Sequence, residues 1–245
     1  TFPSESIASL HRPKKTPGKA CFEVLKFDLE TSEAIDQKMK RTAGELLMIP
    51  YFAAMAARSV ASVIEKRGSA SSSILVSLPI QRIADSKKRP LFQNHMAAWS
   101  LLLKNGALGD LGSATKALYR SYASFMKRKL PAAMEALTKL NERCPSRFYL
   151  LPIKHYLNGE ICSMFHSHTG KLAEHTQSVF GTTIGNIYHL PSVSTPPGIG
   201  IFFSERDRQL TCTLSWREGS LDDGELHTLR EQLLSDLGIH APALS

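Results

Sequence analysis

The chain has 245 residues, of which 42% are hydrophobic and 21% charged. That length allows one large domain or two small ones with a sizeable core, and that balance excludes wholesale disorder. Thirty Lys and Arg against 22 Asp and Glu give a net charge of +8, which favours anionic partners such as nucleic acid, acidic lipid headgroups or phosphorylated cofactors without choosing among them.

Residues 1–19 are rich in Pro, Ser and Lys and read as an N-terminal arm or linker. Because the first residue is Thr1, the chain is expected to be processed or to be a piece of something longer. Cys21 to Leu29 alternates loosely and suits a strand, and Thr31 or Ser32 is placed to cap a helix over 32–41. The stretch 45–66 is apolar on most of its surface, as in a buried helix, with Pro50 near its first turn. Pro50 and Arg58 interrupt the run of about 18–20 apolar residues that a membrane span needs.

Ile74 to Ile80 reads as a buried strand before a charged loop, Asp85 to Arg89, and His95 to Leu103 reads as a second strand. Residues 113–130 form the clearest amphipathic helix. Ser113 is its expected cap, and Ala114, Ala117, Leu118, Tyr122, Phe125 and Met126 form one face, with basic residues elsewhere. Pro131 opens another helix that ends near Cys144, while 146–175 has no clear period. Val179 to Ile187 reads as a strand broken by Gly181 and Gly185. A hairpin follows, Ile199 to Ser204 and Gln209 to Trp216. Its second strand alternates Leu210, Cys212, Leu214 and Trp216 with Thr211, Thr213 and Ser215. Ser220 is the expected cap of a last helix that buries Leu226, Leu229, Leu233 and Leu237 and stops at Gly238. This order predicts an α/β (α+β) domain over 20–240, a mixed β-sheet flanked by helices.

Several local strings carry a resemblance. The buried helix leads into a strand ending Pro79-Ile80-Gln81-Arg82, Gln93-Asn94 opens the next strand, and Gly185-Asn186 precedes a Pro-containing loop. Ser215-Trp216 closes the hairpin before an acidic-capped helix. Over residues 20–237 this order resembles the C-terminal half of the CoA-dependent acyltransferases of the chloramphenicol acetyltransferase, condensation-domain and wax-ester-synthase superfamily. The resemblance departs in detail: the Arg falls one place early, Gln stands where the family has Gly, and the Asn-Asp pair that often starts the buried helix is absent.

The resemblance implies transfer of an acyl group from a CoA or carrier thioester to a hydroxyl or amine. The family's base is the second histidine of His-His-x-x-x-Asp-Gly, a group suited to proton removal near neutral pH. No two of the nine histidines here are adjacent, and the motif belongs to the family's N-terminal half. The expected chain therefore supplies no catalytic residue and forms one wall of a substrate tunnel. Its partners would be an N-terminal catalytic half, on the same precursor or a separate chain, the acyl donor, the acceptor and, where the donor is a carrier thioester, a carrier protein. No tightly bound cofactor and no nucleic acid are expected. The thiol usage fits a cytoplasmic protein, with a place on a membrane surface as the alternative that the basic helix leaves open.

Candidate site residues follow from those strings. Asn94 and Asn186 sit at strand edges, where Asn either orients substrate or satisfies turn backbone. Thr213 and Ser215, with Thr211, either line an acyl or pantetheine channel or face solvent. Lys87, Lys88 and Arg89 either meet the phosphates of CoA or form a solvated loop. Cys162, His166, His168 and His175 have no standard zinc spacing, so no metal site is assigned. A non-catalytic binding or scaffold module of the same fold is the alternative.

Overall fold

The structure is a computed structural model that describes residues 7–10, 12, 18–68, 73–81, 96–128, 136, 143–145, 161–171, 177–194 and 196–239. Its strands are β1 (Ala20–Lys26), β2 (Ile74–Gln81), β3 (Met96–Leu103), β4 (Met164–Lys171), β5 (Ser178–Val179), β6 (Thr182–Thr183), β7 (Ile199–Arg206) and β8 (Gln209–Arg217). Among the described residues, helices α1 (Leu29–Ala43), α2 (Met48–Lys66), α3 (Leu111–Lys127) and α4 (Asp223–Leu237) flank the sheet. Six strands form one mixed sheet in the order β1-β8-β7-β4-β2-β3, and among the described residues β5 pairs with β6. Strands β2, β4 and β7 run parallel to one another. The outer pairs β1–β8 and β2–β3 and the β7–β8 hairpin are antiparallel.

One core lies between the sheet and the helices. Val76, Leu101, Met164, Ile201, Phe203, Cys212 and Leu214 point into it from alternate strand positions. Helix α2 is its centre, with Tyr51 to Ala57, Ser59 to Ala61, Val63 and Ile64 all buried. It has the length and composition of a membrane span, but here it is packed beneath α3, α4 and the sheet. Arg58, midway along it, is neutralised by Asp236 of α4 at 2.8 Å and also bonds the Leu108 carbonyl. Such a pair fixes α4 against α2, and removing one partner would leave a buried charge uncompensated.

Three helix starts differ from expectation in the same way. Asp28, Asp110 and Asp222 are the caps, each accepting the backbone N–H three residues on, from Thr31, Ser113 and Glu225. Thr31 and Ser113 are thus donors inside the first turn rather than caps, and Ser220 lies before the helix. A cap accepts the N–H three residues on, and at that position before each helix stands an Asp, whose charge also suits the positive end of the helix dipole. In α4 the cap is a complete capping box, since Glu225 accepts the Asp222 N–H in return. Glu225 is also held by Arg67 at 2.8 Å and Arg12 at 2.6 Å. Those bonds hold its carboxyl near pKa 2.

Other expectations changed as well. Part of the N-terminal segment is docked: Ala8 bonds Ser73, Leu10 is fully buried, and Arg67 bonds the Leu10 carbonyl. The segment 179–187 is not one strand. Its positive-φ Phe180 and Gly181 turn the chain into the small β5–β6 hairpin, after which 184–194 has no regular structure. On α3, Ala114 and Leu118 are buried, whereas Tyr122 and Met126, expected on the core face, are exposed. Strand β4 fills part of a stretch that showed no period, because its sequence MFHSHTGK places His residues on the buried face. The helix expected from Pro131 to Cys144 falls largely outside the described residues.

Candidate functional site

The sheet face opposite the helices is lined with hydroxyls. Register places Ser100, Ser77, Ser167, Ser204, Thr211, Thr213 and Ser215 on it, at least one from each of β3, β2, β4, β7 and β8. Thr211, Thr213 and Ser215 are all buried, so they do not face solvent. The irregular segment 186–193 is bonded to two of them, Thr211 and Ser215. Asn186 Nδ2 donates to Thr211 Oγ1 at 3.3 Å, and Asn186 Oδ1 accepts the Ile187 N–H. Ser215 Oγ donates to the Pro191 carbonyl at 2.7 Å, and Arg217 donates to the Val193 carbonyl at 2.9 Å.

The same segment adds ring contacts. Tyr188 lies under the Lys26 ammonium, and His189 stands edge-on to Phe202 with centroids 5.5 Å apart. His189 Nδ1 is buried without a hydrogen-bond partner, and burial lowers the ring's pKa. Gly200 is required beneath this cover. A Cβ there would lie 2.4 Å from the Phe202 ring and 2.9 Å from Val193. The structure therefore brings Asn186 and Ser215 together with Thr211 through one covering segment, and buries Thr213 on the same face. Asn94 and the basic run Lys87, Lys88 and Arg89 lie outside the described residues.

The other polar feature is on the helix side. His166 and His168 of β4 are two residues apart and so share a face. His166 is fully buried, and its Nδ1 bonds the Ile201 carbonyl at 2.9 Å. A carbonyl only accepts, so Nδ1 carries the proton, while Nε2 has no partner. Burial first, then the neighbouring His168, lowers the His166 pKa to about 3. Burial lowers that of His168 to about 4. Neither ring joins a metal cluster: among the described residues no three His, Cys, Asp or Glu converge. Four extended residues from Cys162 to His166 would span roughly 13 Å, far beyond a shared ion. Sequence reasoning missed the pair as a structural unit because the residues around them carry no clear period.

No protein-family profile matches the sequence, and no curated protein does. Solved structures do match its fold. The trichothecene 15-O-acetyltransferase TRI3 of Fusarium sporotrichioides superposes with a TM-score of 0.64 at 12% identity, over 96% of this chain and 48% of the other. The epimerization domain from the third module of tyrocidine synthetase B gives 0.60 at 9% identity, over 96% and 51%. A condensation domain that mediates chain release from the enacyloxin polyketide synthase gives 0.53 at 13% identity, over 98% and 47%. The chain thus spans about half the length of the structures it matches, and at these identities the likeness is one of fold. Its fold is that of about half of such an acetyltransferase and of such condensation and epimerization domains.

Proposed function

We propose that this chain is the C-terminal half of an acyltransferase and forms one wall of its substrate tunnel. In the proposed reaction a base in an N-terminal half takes the proton from an acceptor hydroxyl or amine. The freed oxygen or nitrogen attacks the thioester carbonyl of CoA or a carrier, the C–S bond breaks, and the thiolate leaves and is protonated. The observation that carries this reading is the match of nearly the whole chain to only half of an acetyltransferase and of condensation-type domains.

The side chains agree with it. His166 is buried in the core, and His168 already spends its Nδ1 lone pair on the Gly170 N–H at 3.1 Å, so neither β4 imidazole is placed to take a proton from a substrate. Val179, Phe180, Tyr188 and Leu190 expose apolar surface on and beside the covering segment, and the proposal assigns that surface to contact with the N-terminal half. Asn94 and Asn186 then orient substrate where the two halves meet, and Thr213 and Ser215 line an acyl or pantetheine channel. Lys87, Lys88 and Arg89 are proposed to meet the phosphates of CoA. A cytoplasmic location belongs to the same proposal.

The test is to join this chain to the segment encoded upstream of it and measure thiol release from a panel of acyl-CoA donors with hydroxyl and amine acceptors. Acceptor-dependent release should require both parts. The same activity in the isolated 245-residue chain would sink the reading. One observation favours a second reading, a non-catalytic scaffold: the β8 hydroxyls are engaged by the chain's own segment, Ser215 with Pro191 at 2.7 Å. An upstream segment without His-His-x-x-x-Asp-Gly would support that alternative.

A further inference from the structure

On the helix side of the sheet, where the β7–β8 turn meets α1 and the first turns of α2, lies a cleft of about 280 Å³. Its walls include Ile35, Met39, Met48, Phe52 and Leu210, all apolar. The two methionines let that surface adapt to an irregular ligand. One imidazole joins this apolar wall, that of His168. Its ring packs on Phe52 with centroids 4.9 Å apart and lies 16° from parallel to Phe203. Because Nδ1 accepts the Gly170 N–H, the neutral ring carries its proton on Nε2. His168 is therefore a donor held in one orientation, and burial keeps it uncharged at ordinary pH.

The rim of the cleft is charged but self-compensating. Lys40 pairs with Asp36 at 2.8 Å, and Arg208 pairs with Glu33 at 2.5 Å. Lys171 and Glu205 stand opposite each other in the β4–β7 register. Three cations and three anions leave no net charge to attract an ion, and a carboxylate would have to pull a cation from its existing partner. The volume lies just below the range for small-molecule sites, roughly 300–1,000 Å³, and suits a single ring with a short substituent.

We propose that this cleft binds a small uncharged molecule with an apolar ring and one carbonyl acceptor, the ring lying on Phe52 and the carbonyl taking the His168 Nε2–H. The inference does not rest on the acyl-transfer reading, since it concerns binding by the 245-residue chain alone. The probes are acetophenone, which has the ring and the acceptor, ethylbenzene, which lacks the acceptor, and benzoate, which carries a charge. Binding is followed by ligand-observed NMR titration.

Acetophenone should saturate and bind about five-fold more tightly than ethylbenzene, the increment of one net hydrogen bond. Benzoate should bind no more tightly than ethylbenzene. His168→Phe keeps the ring contact and removes the donor, so it should abolish the preference for acetophenone. Met48→Trp, which fills the cleft from a partly buried position, should remove binding of both neutral probes. Absence of saturable acetophenone binding overturns the proposal, as does benzoate binding tightest. An acetophenone preference that survives in His168→Phe also overturns it. Should that variant fail to fold, unchanged acetophenone affinity in Met48→Trp has the same force.

Discussion

The two faces of the six-stranded sheet are covered by different means. On one, four helices meet a continuous apolar layer that includes Ile201, Phe203, Cys212 and Leu214. On the other, a row of hydroxyls is closed by a segment without regular structure, held by side-chain bonds such as Ser215 to Pro191 and Asn186 to Thr211. Burial of apolar area is additive and hard to lose piecemeal, whereas a cover held by a few net hydrogen bonds of about 1 kcal/mol each opens locally. The helix face is therefore scaffold, and the covered face is where the chain can change its contacts.

The comparison breaks most severely at Phe203, fully buried on the helix face. Phe203→Ala should cost about 3–5 kcal/mol, through lost transfer free energy and the cavity left behind, read as a lowered urea midpoint with unchanged slope. A cost under about 1 kcal/mol would mean that the helix face is not the main core.

Acid should act on the same face. His166 has a folded pKa lowered to about 3, below the ordinary 6.5 of the unfolded chain, with His168 lowered to about 4. Between those values the unfolded chain binds protons that the folded chain refuses. The stability these rings contribute is complete above pH 6.5 and falls as the pH drops toward 3. Glu225, lowered to about 2 from 4.5, adds its loss further down the scale. His166→Phe should flatten the decline between pH 7 and pH 5 in urea titrations. An unchanged slope would remove His166 from the account.

How far these features could be read from sequence depends on what buries each residue. The hairpin from Ile199 to Arg217 was legible because alternation along β8 fixes which residues meet the helices, although the turn proved to be only Asp207-Arg208, both at positive φ. The buried helix α2 was legible from apolar residues on most of its surface, and the leucines of α4 from their period. Strand β4 was not, since His166 and His168 sit where an apolar residue would announce a buried face. The candidate site was half legible. Asn186 and Ser215 were singled out and do share one covering segment, but the cover itself has no period to read, and nothing local shows that Thr211 and Ser215 are bonded by residues 25 and 24 positions away. Helix caps were misplaced for a similar reason: Ser113 fits a cap by type, but Asp110 owns the bond.

The covered face should respond more weakly, and locally. Gly200→Ala puts a methyl into contact with the Phe202 ring and Val193. Overpacking of this kind costs about 1–3 kcal/mol, and relief is available by displacing the cover. Amide exchange in 186–194 should therefore accelerate while amides of β7 and β8 stay protected. Uniform acceleration across the sheet would show that the cover is part of the global folding unit.

Ser215→Ala is the smallest change and the most discriminating. It deletes one hydroxyl that donates to the Pro191 carbonyl and leaves β8 pairing with β1 and β7 through its backbone. The expected loss is about 1 kcal/mol, the net value of one hydrogen bond. If the cover is held by such bonds, exchange at 192–194 should rise about five-fold, the same free energy expressed as an opening equilibrium. If apolar contacts such as His189 on Phe202 hold it instead, exchange there should not change. The outcome decides whether the hydroxyl face is sealed or poised, because a tunnel wall on β8 needs Thr213 and Ser215 to be uncovered at little free-energy cost.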